Sequence, residues 1–443
     1  MDLNNSLGDA KNAGLSTPFE VLSRIFDFPD KVQLSWWYTI GPTFAKMMVD
    51  SDYSVHHQYE YLCFIYRYLL PVLKSLHAPT GKTALENTLV SSTPYEHSMN
   101  YQASKSTTRL YLEPTSHLDG TIRDPCNRLA VQAFLNRIQT ALPNSGIDTT
   151  LFYFFADKLV LPRVDEARIR KTDIVDKLPN QMQCSTAFEL KDGRIGMKTF
   201  MYPMMKALAT GKSVTRVLFD ALQTLPALEG GAAYMPAISA IEEYVYPLTD
   251  KCPSPTMSTF FVGFDMVALE LARIKVYISE AEVSWAKLAD LWTLGGQLID
   301  PDIAAGLELL HQVWLLLKIP EGIRRLSDAP PDLNDTGTLN QLLMSYEAKR
   351  GCPEPTPKAY ISLRGFDENI KCERMISIFN HFGWTKHAAS YRDNIQSYFP
   401  SFDFQKTTTI QSWLSFSYSK KTGPYMTMYF NELDTSHTFH ALG

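Results

Sequence analysis

Signals of several common protein classes are absent from this sequence. It contains no Cys-x-x-Cys pair, no Asp-Asp dipeptide and no apolar run long enough to cross a membrane. Zinc sites and Mg²⁺ sites built on aspartate-rich clusters are therefore not expected. Because 47 Asp and Glu residues outnumber 42 Lys and Arg residues, a general nucleic-acid-binding protein is not expected either.

The N-terminal stretch MDLNNSLGDAKNAG lacks the basic and apolar regions of a secretion signal. The six cysteines are scattered along the chain, which argues against a disulfide framework. We therefore expect a reducing, cytoplasmic setting. Residues 1–15 are predicted to be a disordered lead. No linker divides the remainder, so we predict a single domain over residues 1–443.

Five short segments alternate apolar residues with cationic or aromatic ones. In ARIKVYIS, Arg273, Lys275 and Tyr277 share one face, and the apolar residues share the other. Since side chains alternate across a strand, each segment predicts a half-buried strand with one chemically special face. The special faces carry Arg109, Tyr111 and Glu113; Lys198, Phe200 and Tyr202; Arg273, Lys275 and Tyr277; Lys358 and Tyr360; and Tyr425, Thr427 and Tyr429. Together they would surround a multivalent anion with electron-rich rings, which suits the release of a diphosphate and the protection of a carbocation.

These strands recur every ~70–90 residues, and helical patterns and another strand precede each of them. The repeat predicts an α+β fold, a closed ten-stranded antiparallel β-barrel ringed by α-helices and built from repeated ααββ units. Asp192-Gly193 predicts a tight hairpin turn. Thr17 and Glu20 predict a capping box at a helix start. A helix is also predicted over residues 338–349.

Ordered blocks along nearly the whole chain point to a family. They are PFEVLSRIFDF, DYSVHHQYEYL, TPYEHSMNYQASKSTTRL, DLWTLGG, GLELLHQVW and MTMYF. Their order resembles that of the fungal aromatic (indole) prenyltransferases of the dimethylallyltryptophan synthase type. The resemblance implies the ABBA, or PT-barrel, fold. It also implies metal-independent transfer of a prenyl group, most often dimethylallyl, to an indole or related ring in secondary metabolism.

The resemblance also implies roles by position. The implied diphosphate-binding cations are Arg109, Lys198, Arg273, Lys275 and Lys358. The implied aromatic shield around the allyl cation is Tyr202, Tyr277, Tyr360, Trp413 and Tyr429. Glu96 is the implied catalytic and acceptor-binding carboxylate, which would hydrogen-bond an indole N–H. No residue is assigned to a metal, and no cofactor is required. Ser185 stands where some tryptophan-specific relatives have Lys, which weakens the case for free tryptophan as acceptor.

The chemistry explains why such residues are needed. Departure of the diphosphate builds negative charge, which fixed cations stabilise. The allyl cation must be kept from water, and each aromatic face beside it contributes about 0.5–2 kcal/mol. The favoured acceptor is a tryptophan-containing cyclic dipeptide or an indole alkaloid. Free tryptophan, an indole diterpene and a phenol or tyrosine are alternatives.

Two other functions compete with this prediction. A non-catalytic barrel would bind an anionic hydrophobic ligand without turnover. A phosphate-ester hydrolase would need a metal cluster or an activated nucleophile, for which the sequence gives no motif. Partners are expected to be small-molecule substrates, with neither nucleic acid nor membrane, and the protein is expected to be a monomer or homodimer. Donor length, the position prenylated and the final proton acceptor stay open.

Overall fold

The computed structural model describes residues 16–74, 94–124, 126–170, 172, 182–246, 256–324 and 341–431. The predicted lead, residues 1–15, lies outside this range. Within it, no helix is both long and apolar enough to span a membrane.

Ten strands form the closed antiparallel barrel that the sequence predicts. They are β1 (Tyr95–Gln102), β2 (Lys105–Leu112), β3 (Cys184–Lys191), β4 (Arg194–Met201), β5 (Met257–Asp265), β6 (Arg273–Glu280), β9 (Leu342–Lys349), β10 (Thr356–Ser362), β11 (Gln411–Ser419) and β12 (Gly423–Phe430). Successive barrel strands pair with one another, with β6 pairing with β9, and β1 pairs with β12 to close the wall. Two short strands, β7 (Glu282–Val283) and β8 (Gly322–Ile323), pair outside the barrel.

Helices occur between successive strand pairs, as the repeat predicts. They are α1 (Pro18–Ile25), α2 (Lys31–Asp50), α3 (Val55–Phe64), α4 (Leu129–Ala141), α5 (Thr150–Leu159), α6 (Arg163–Arg170), α7 (Met204–Thr210), α8 (Val214–Leu222), α9 (Met235–Val245), α10 (Trp285–Trp292), α11 (Pro301–Leu317), α12 (Glu368–His381) and α13 (Thr385–Tyr398). The capping box at α1 is confirmed, since Glu20 N–H donates to Thr17 Oγ1 and Thr17 N–H donates to Glu20 Oε2. The tight turn is confirmed as well, because Asp192 and Gly193 have φ of +52° and +69°.

The prediction of a helix over residues 338–349 is wrong. Residues 342–349 form β9, and residues 338–340 lie outside the described residues. Leu, Met, Glu, Ala and Lys gave this segment a helical composition. However, Leu342, Met344, Tyr346 and Ala348 alternate as fully buried residues on the outer face of the barrel. The neighbouring strands β6 and β10 supply a hydrogen-bonding ladder on both edges, so tertiary context overrides local propensity.

The barrel wall separates two apolar regions. The main core lies between the helices and the outward strand residues, and it includes Trp36, Phe134, Leu110 and Ile274. A second cluster lies on the opposite face of the strands, inside the barrel, and is rich in aromatic rings. The lumen is therefore a lined chamber distinct from the core that stabilises the fold.

Candidate active site

The five predicted cations lie together inside the barrel; they are Arg109, Lys198, Arg273, Lys275 and Lys358, here called the cation cluster. The backbone register brings them together. Arg109 lies opposite Glu189 on β3, and Lys198 lies opposite Asp265 on β5. Lys275 lies opposite Glu347 on β9. Three carboxylates that the sequence analysis did not assign to the site thus face the cations.

These carboxylates hold the cations in place. Glu189 Oε2 lies 2.5 Å from Arg109 Nη2 and 3.6 Å from Lys198 Nζ. Glu347 Oε2 lies 3.0 Å from Lys275 Nζ and 3.6 Å from Arg273 Nη1. The Arg109 guanidinium holds the pKa of Glu189 well below its usual range, against the opposing effect of burial. The carboxylate is therefore ionised.

A second pair of contacts extends this network. Asp265 accepts two hydrogen bonds from Arg273, at 2.5 and 3.0 Å. Lys349 Nζ lies 3.0 Å from Glu347 Oε1. With all groups ionised, the five cations and Lys349 outnumber the three carboxylates and leave a net charge of +3. That charge can balance an organic diphosphate.

Lys358 has a different environment from the other cations. Its Nζ lies 5.3 Å from the centre of the Tyr360 ring and 5.4 Å from that of Tyr425. No described carboxylate lies within 4 Å of it. Arg109 donates a hydrogen bond to the Tyr425 hydroxyl, so Tyr425 joins the two cations. Burial, reinforced by Arg109 and Lys275, lowers the pKa of Lys358 well below its ordinary value.

The predicted aromatic residues form one cluster next to the cations, here called the aromatic cluster. It comprises Tyr202, Phe261, Tyr277 and Tyr360, with Phe200, Trp413 and Tyr429 packed against them. Phe261 stacks on Tyr277 with ring centres 4.1 Å apart. Tyr277 and Tyr360 each lie two residues beyond a cation, which places the rings about 7 Å further along the lumen.

Phe261 was missed by the sequence analysis for a structural reason. A β-bulge between Thr259 and Phe261 shifts the register of β5. The alternation in STFFVGF is therefore interrupted, so the sequence does not show which phenylalanine faces inward.

Glu96 lies at the aromatic end of the lumen. It is opposite Tyr111 in the β1–β2 register and only 2% exposed. Its Oε2 has no hydrogen-bond partner among the described residues. Burial raises the pKa of Glu96 well above its usual value; Arg364 opposes this shift and Glu113 adds to it. An unpartnered buried acceptor is costly, so this oxygen is suited to receive an N–H donor from a ligand.

Arg364 and Glu113 were not predicted as site residues. Arg364 follows β10, and its Nε also lacks a described partner. Glu113 follows β2 and accepts a hydrogen bond from the Tyr111 hydroxyl at 3.1 Å. Glu113 continues the lumen face of Arg109 and Tyr111, which was a usable signal. Nothing in the sequence marked Arg364. Among the described residues, no group of three His, Cys, Asp or Glu side chains is arranged to hold a metal ion.

The arrangement orders three chemical environments along one lumen: a cationic end, a wall of rings and a buried carboxylate. Comparison with known proteins identifies the family. The family model for tryptophan dimethylallyltransferase matches residues 33–394. The roquefortine prenyltransferase of Penicillium rubens is 33% identical over 414 residues, covering 94% of each chain.

Solved structures extend this similarity to the fold. The crystal structure of AnaPT from Neosartorya fischeri superposes with a TM-score of 0.82 at 28% identity, over 94% of this chain and 98% of that one. NotF in complex with brevianamide F and DMSPP gives 0.80 at 30% identity, over 94% and 99%. The chain therefore belongs to the tryptophan dimethylallyltransferase family and is a prenyltransferase with the ABBA-barrel fold.

Proposed function

We propose that this protein transfers a dimethylallyl group from dimethylallyl diphosphate to an indole, favouring a tryptophan-containing cyclic dipeptide or an indole alkaloid. The observation that carries the proposal is the order along the lumen: cation cluster, aromatic cluster, buried Glu96. A relative, NotF, binds brevianamide F together with DMSPP, an analogue of the donor. The proposed reaction breaks the C–O bond to the diphosphate, joins the allyl carbon to the ring and releases a ring proton.

The cation cluster would bind the diphosphate and stabilise it as it leaves. An attractive charge pair at 4 Å contributes about 4 kcal/mol at an effective dielectric constant of about 20. Several such contacts would lower the barrier to C–O cleavage because the charge develops where the cations already lie. Once the bound diphosphate has favoured the protonated lysines, the net charge of +3 supports a reaction that requires neither a metal nor a cofactor.

The aromatic cluster would receive the allyl cation. Tyr202, Tyr277, Tyr360, Trp413 and Tyr429 would present π-faces to it and exclude water. Burial supports this role, since Tyr277 and Tyr360 are 5% and 8% exposed. Their hydroxyl pKa values are raised by burial, so these rings stay neutral.

Glu96 would orient the acceptor. Its unpartnered oxygen would accept the indole N–H, and its charge would stabilise the positive charge that develops on the ring during attack. In the resting protein, burial favours the protonated acid. An acceptor N–H that hydrogen-bonds the ionised form would favour ionisation again.

A reducing, cytoplasmic location is part of the proposal. Among the described cysteines, Cys63, Cys184, Cys352 and Cys372 are free thiols, which supports it. Whether the protein is a monomer or a homodimer stays a prediction.

The test is mass spectrometry of reactions with dimethylallyl diphosphate in EDTA. The acceptor panel is brevianamide F, further tryptophan-containing cyclic dipeptides, L-tryptophan, an indole diterpene and a phenol. We expect an indole product heavier by one dimethylallyl group. Loss of activity in EDTA would contradict metal independence. Donor binding without any product would favour a non-catalytic barrel.

Glu96→Gln separates the acceptor role from general stability. We expect kcat to fall about 10²–10³-fold, the cost of removing one charge-stabilising group, with little change in donor affinity. Glu280→Gln is a matched control. Glu280 is also fully buried with an unpartnered Oε2, but it lies on the outer face of β6. Equal effects of the two substitutions would contradict the role of Glu96.

A further inference from the structure

A buried chain of hydroxyl groups leads from the aromatic cluster to a second carboxylate. We propose that Glu113, reached through Tyr111 and Tyr202, accepts the proton that the acceptor ring releases after prenyl transfer. This inference rests on the proposed function, which itself assigns no proton acceptor.

The hydrogen-bond geometry forms a continuous path. Tyr111 Oη donates to Glu113 Oε1 at 3.1 Å. Tyr202 Oη lies 3.5 Å from Tyr111 Oη, and Ser185 Oγ lies 3.3 Å from Tyr202 Oη. All four residues are buried. Since each hydroxyl can donate and accept, a proton arriving at Ser185 or Tyr202 can be passed to Glu113 without side-chain movement.

The start of the path lies beside the expected reaction position. Tyr202 is a member of the aromatic cluster, with its ring 4.9 Å from that of Phe261. Tyr111 lies opposite Glu96 in the strand register and 6.2 Å from Phe200. An acceptor held by Glu96 and facing the aromatic cluster would therefore contact this hydroxyl chain.

The proposed step is balanced in atoms and charge. The C–H bond at the prenylated ring carbon breaks, and its electron pair restores the aromatic ring. The proton passes to the hydroxyl of Ser185 or Tyr202, whose own proton moves through Tyr111 to Glu113. The carboxylate becomes a neutral acid. Glu113 is 8% exposed, so it can return the proton to solvent before the next turnover.

Electrostatics support Glu113 as the end of the path. Burial raises its pKa to about 8, and the hydrogen bond from Tyr111 only partly opposes this shift. The other titratable groups that face this region are Glu96 and Tyr202, and Arg364 acts on Glu96. A carboxylate whose pKa lies near the operating pH is an effective base. The tyrosine pKa values are raised by burial, so both hydroxyls relay protons without becoming anionic.

The experiment compares wild type with Glu113→Gln and Tyr111→Phe, using the acceptor that wild type prenylates and its ring-deuterated form. We expect kcat to fall about 10²-fold in Glu113→Gln. The deuterium isotope effect on kcat should become larger in both variants, because proton removal becomes slower relative to ionisation of the donor. Glu113→Asp should restore part of the rate.

Several outcomes would overturn the inference. One is a wild-type rate and isotope effect in both variants. Another is a lower rate with an unchanged isotope effect, which would assign Glu113 a structural role. Retention of all ring deuterium in the product would show that no C–H bond is broken. Absence of any wild-type product would instead overturn the proposed function itself. Glu280→Gln, on the outer barrel face, should keep the wild-type isotope effect.

Discussion

At the scale of single residues, the lysines of the cation cluster are unusual because they lie partly buried among other cations. Burial, together with Arg109 and Lys275, lowers the pKa of Lys198 to about 7, while Glu189 opposes this shift. A fraction of Lys198 is thus neutral at pH 7 before the donor arrives. A bound diphosphate would favour the protonated amine and raise this pKa again.

Donor binding should therefore take up protons above pH 7. Between the free and bound pKa values the free lysine is neutral and the bound one is charged, so affinity for the donor falls as pH rises. Calorimetry at pH 8.5 in buffers of different ionisation enthalpy measures this uptake. We expect Lys198→Met to take up about one proton fewer than wild type. Lys358→Met should also reduce the uptake, since burial lowers the pKa of Lys358 in the same way.

The control for this measurement is Lys212→Met on the outer surface. Lys212 pairs with Asp220, and its side chain is 52% exposed. The Lys212→Met substitution should leave proton uptake on donor binding unchanged. No proton uptake in wild type would contradict the lowered pKa values of Lys198 and Lys358, or their rise on donor binding.

Which lysines face the lumen was predictable from the sequence, because the signal lies within each single strand. Lys198, Lys275 and Lys358 follow a period of two within their own strands, and the fold preserves that period. Their carboxylate partners were not predictable. Glu189 and Glu347 become partners only through the register between strands, and that register depends on the whole barrel.

At the scale of elements, one buried ion pair joins α12 to β11. Glu368 and Lys371 on α12 are fully buried and lie 2.7 Å apart. Glu368 also accepts hydrogen bonds from the backbone N–H groups of Ile410 and Gln411. This contact fixes the start of the strand that carries Trp413 into the aromatic cluster.

Breaking this pair should destabilise the fold. Glu368→Ala leaves Lys371 buried without its counter-charge, so we expect the free energy of unfolding to fall by about 3–5 kcal/mol. In a double-mutant cycle with Lys371→Ala, the free energy of unfolding of the double variant should fall by less than the sum of the decreases in the two single variants. Urea denaturation measures these differences. Additive losses would mean that the pair is not coupled.

An exposed ion pair provides the comparison. Lys386 Nζ lies 2.6 Å from Asp52, but both side chains are mostly exposed. Lys386→Ala should change the free energy of unfolding by no more than about 1 kcal/mol. Because the N–O distances of the two ion pairs are similar, the difference between their effects on stability reports the effect of burial.

At the scale of the whole molecule, closure of the barrel is the property that the local sequence specifies least. The repeat predicts ten strands, but only the β1–β12 pairing turns them into a closed wall. That pairing joins residues such as Asn100 and Thr427, which are 327 positions apart. Such contacts carry a high entropic cost of loop closure and form slowly.

The β1–β12 seam should nevertheless be as stable as the rest of the barrel. A barrel without β1–β12 pairing would leave two open edges and expose the lumen to water. The Asn100 side chain also donates to the backbone carbonyl of Met426 across the seam, at 2.8 Å. In native-state hydrogen exchange, amides of β1 and β12 should therefore exchange with the same free energy as those of β5 and β6. A distinctly lower value at the seam would show that the barrel opens locally there, and that the chain does not unfold as the single domain predicted from its sequence.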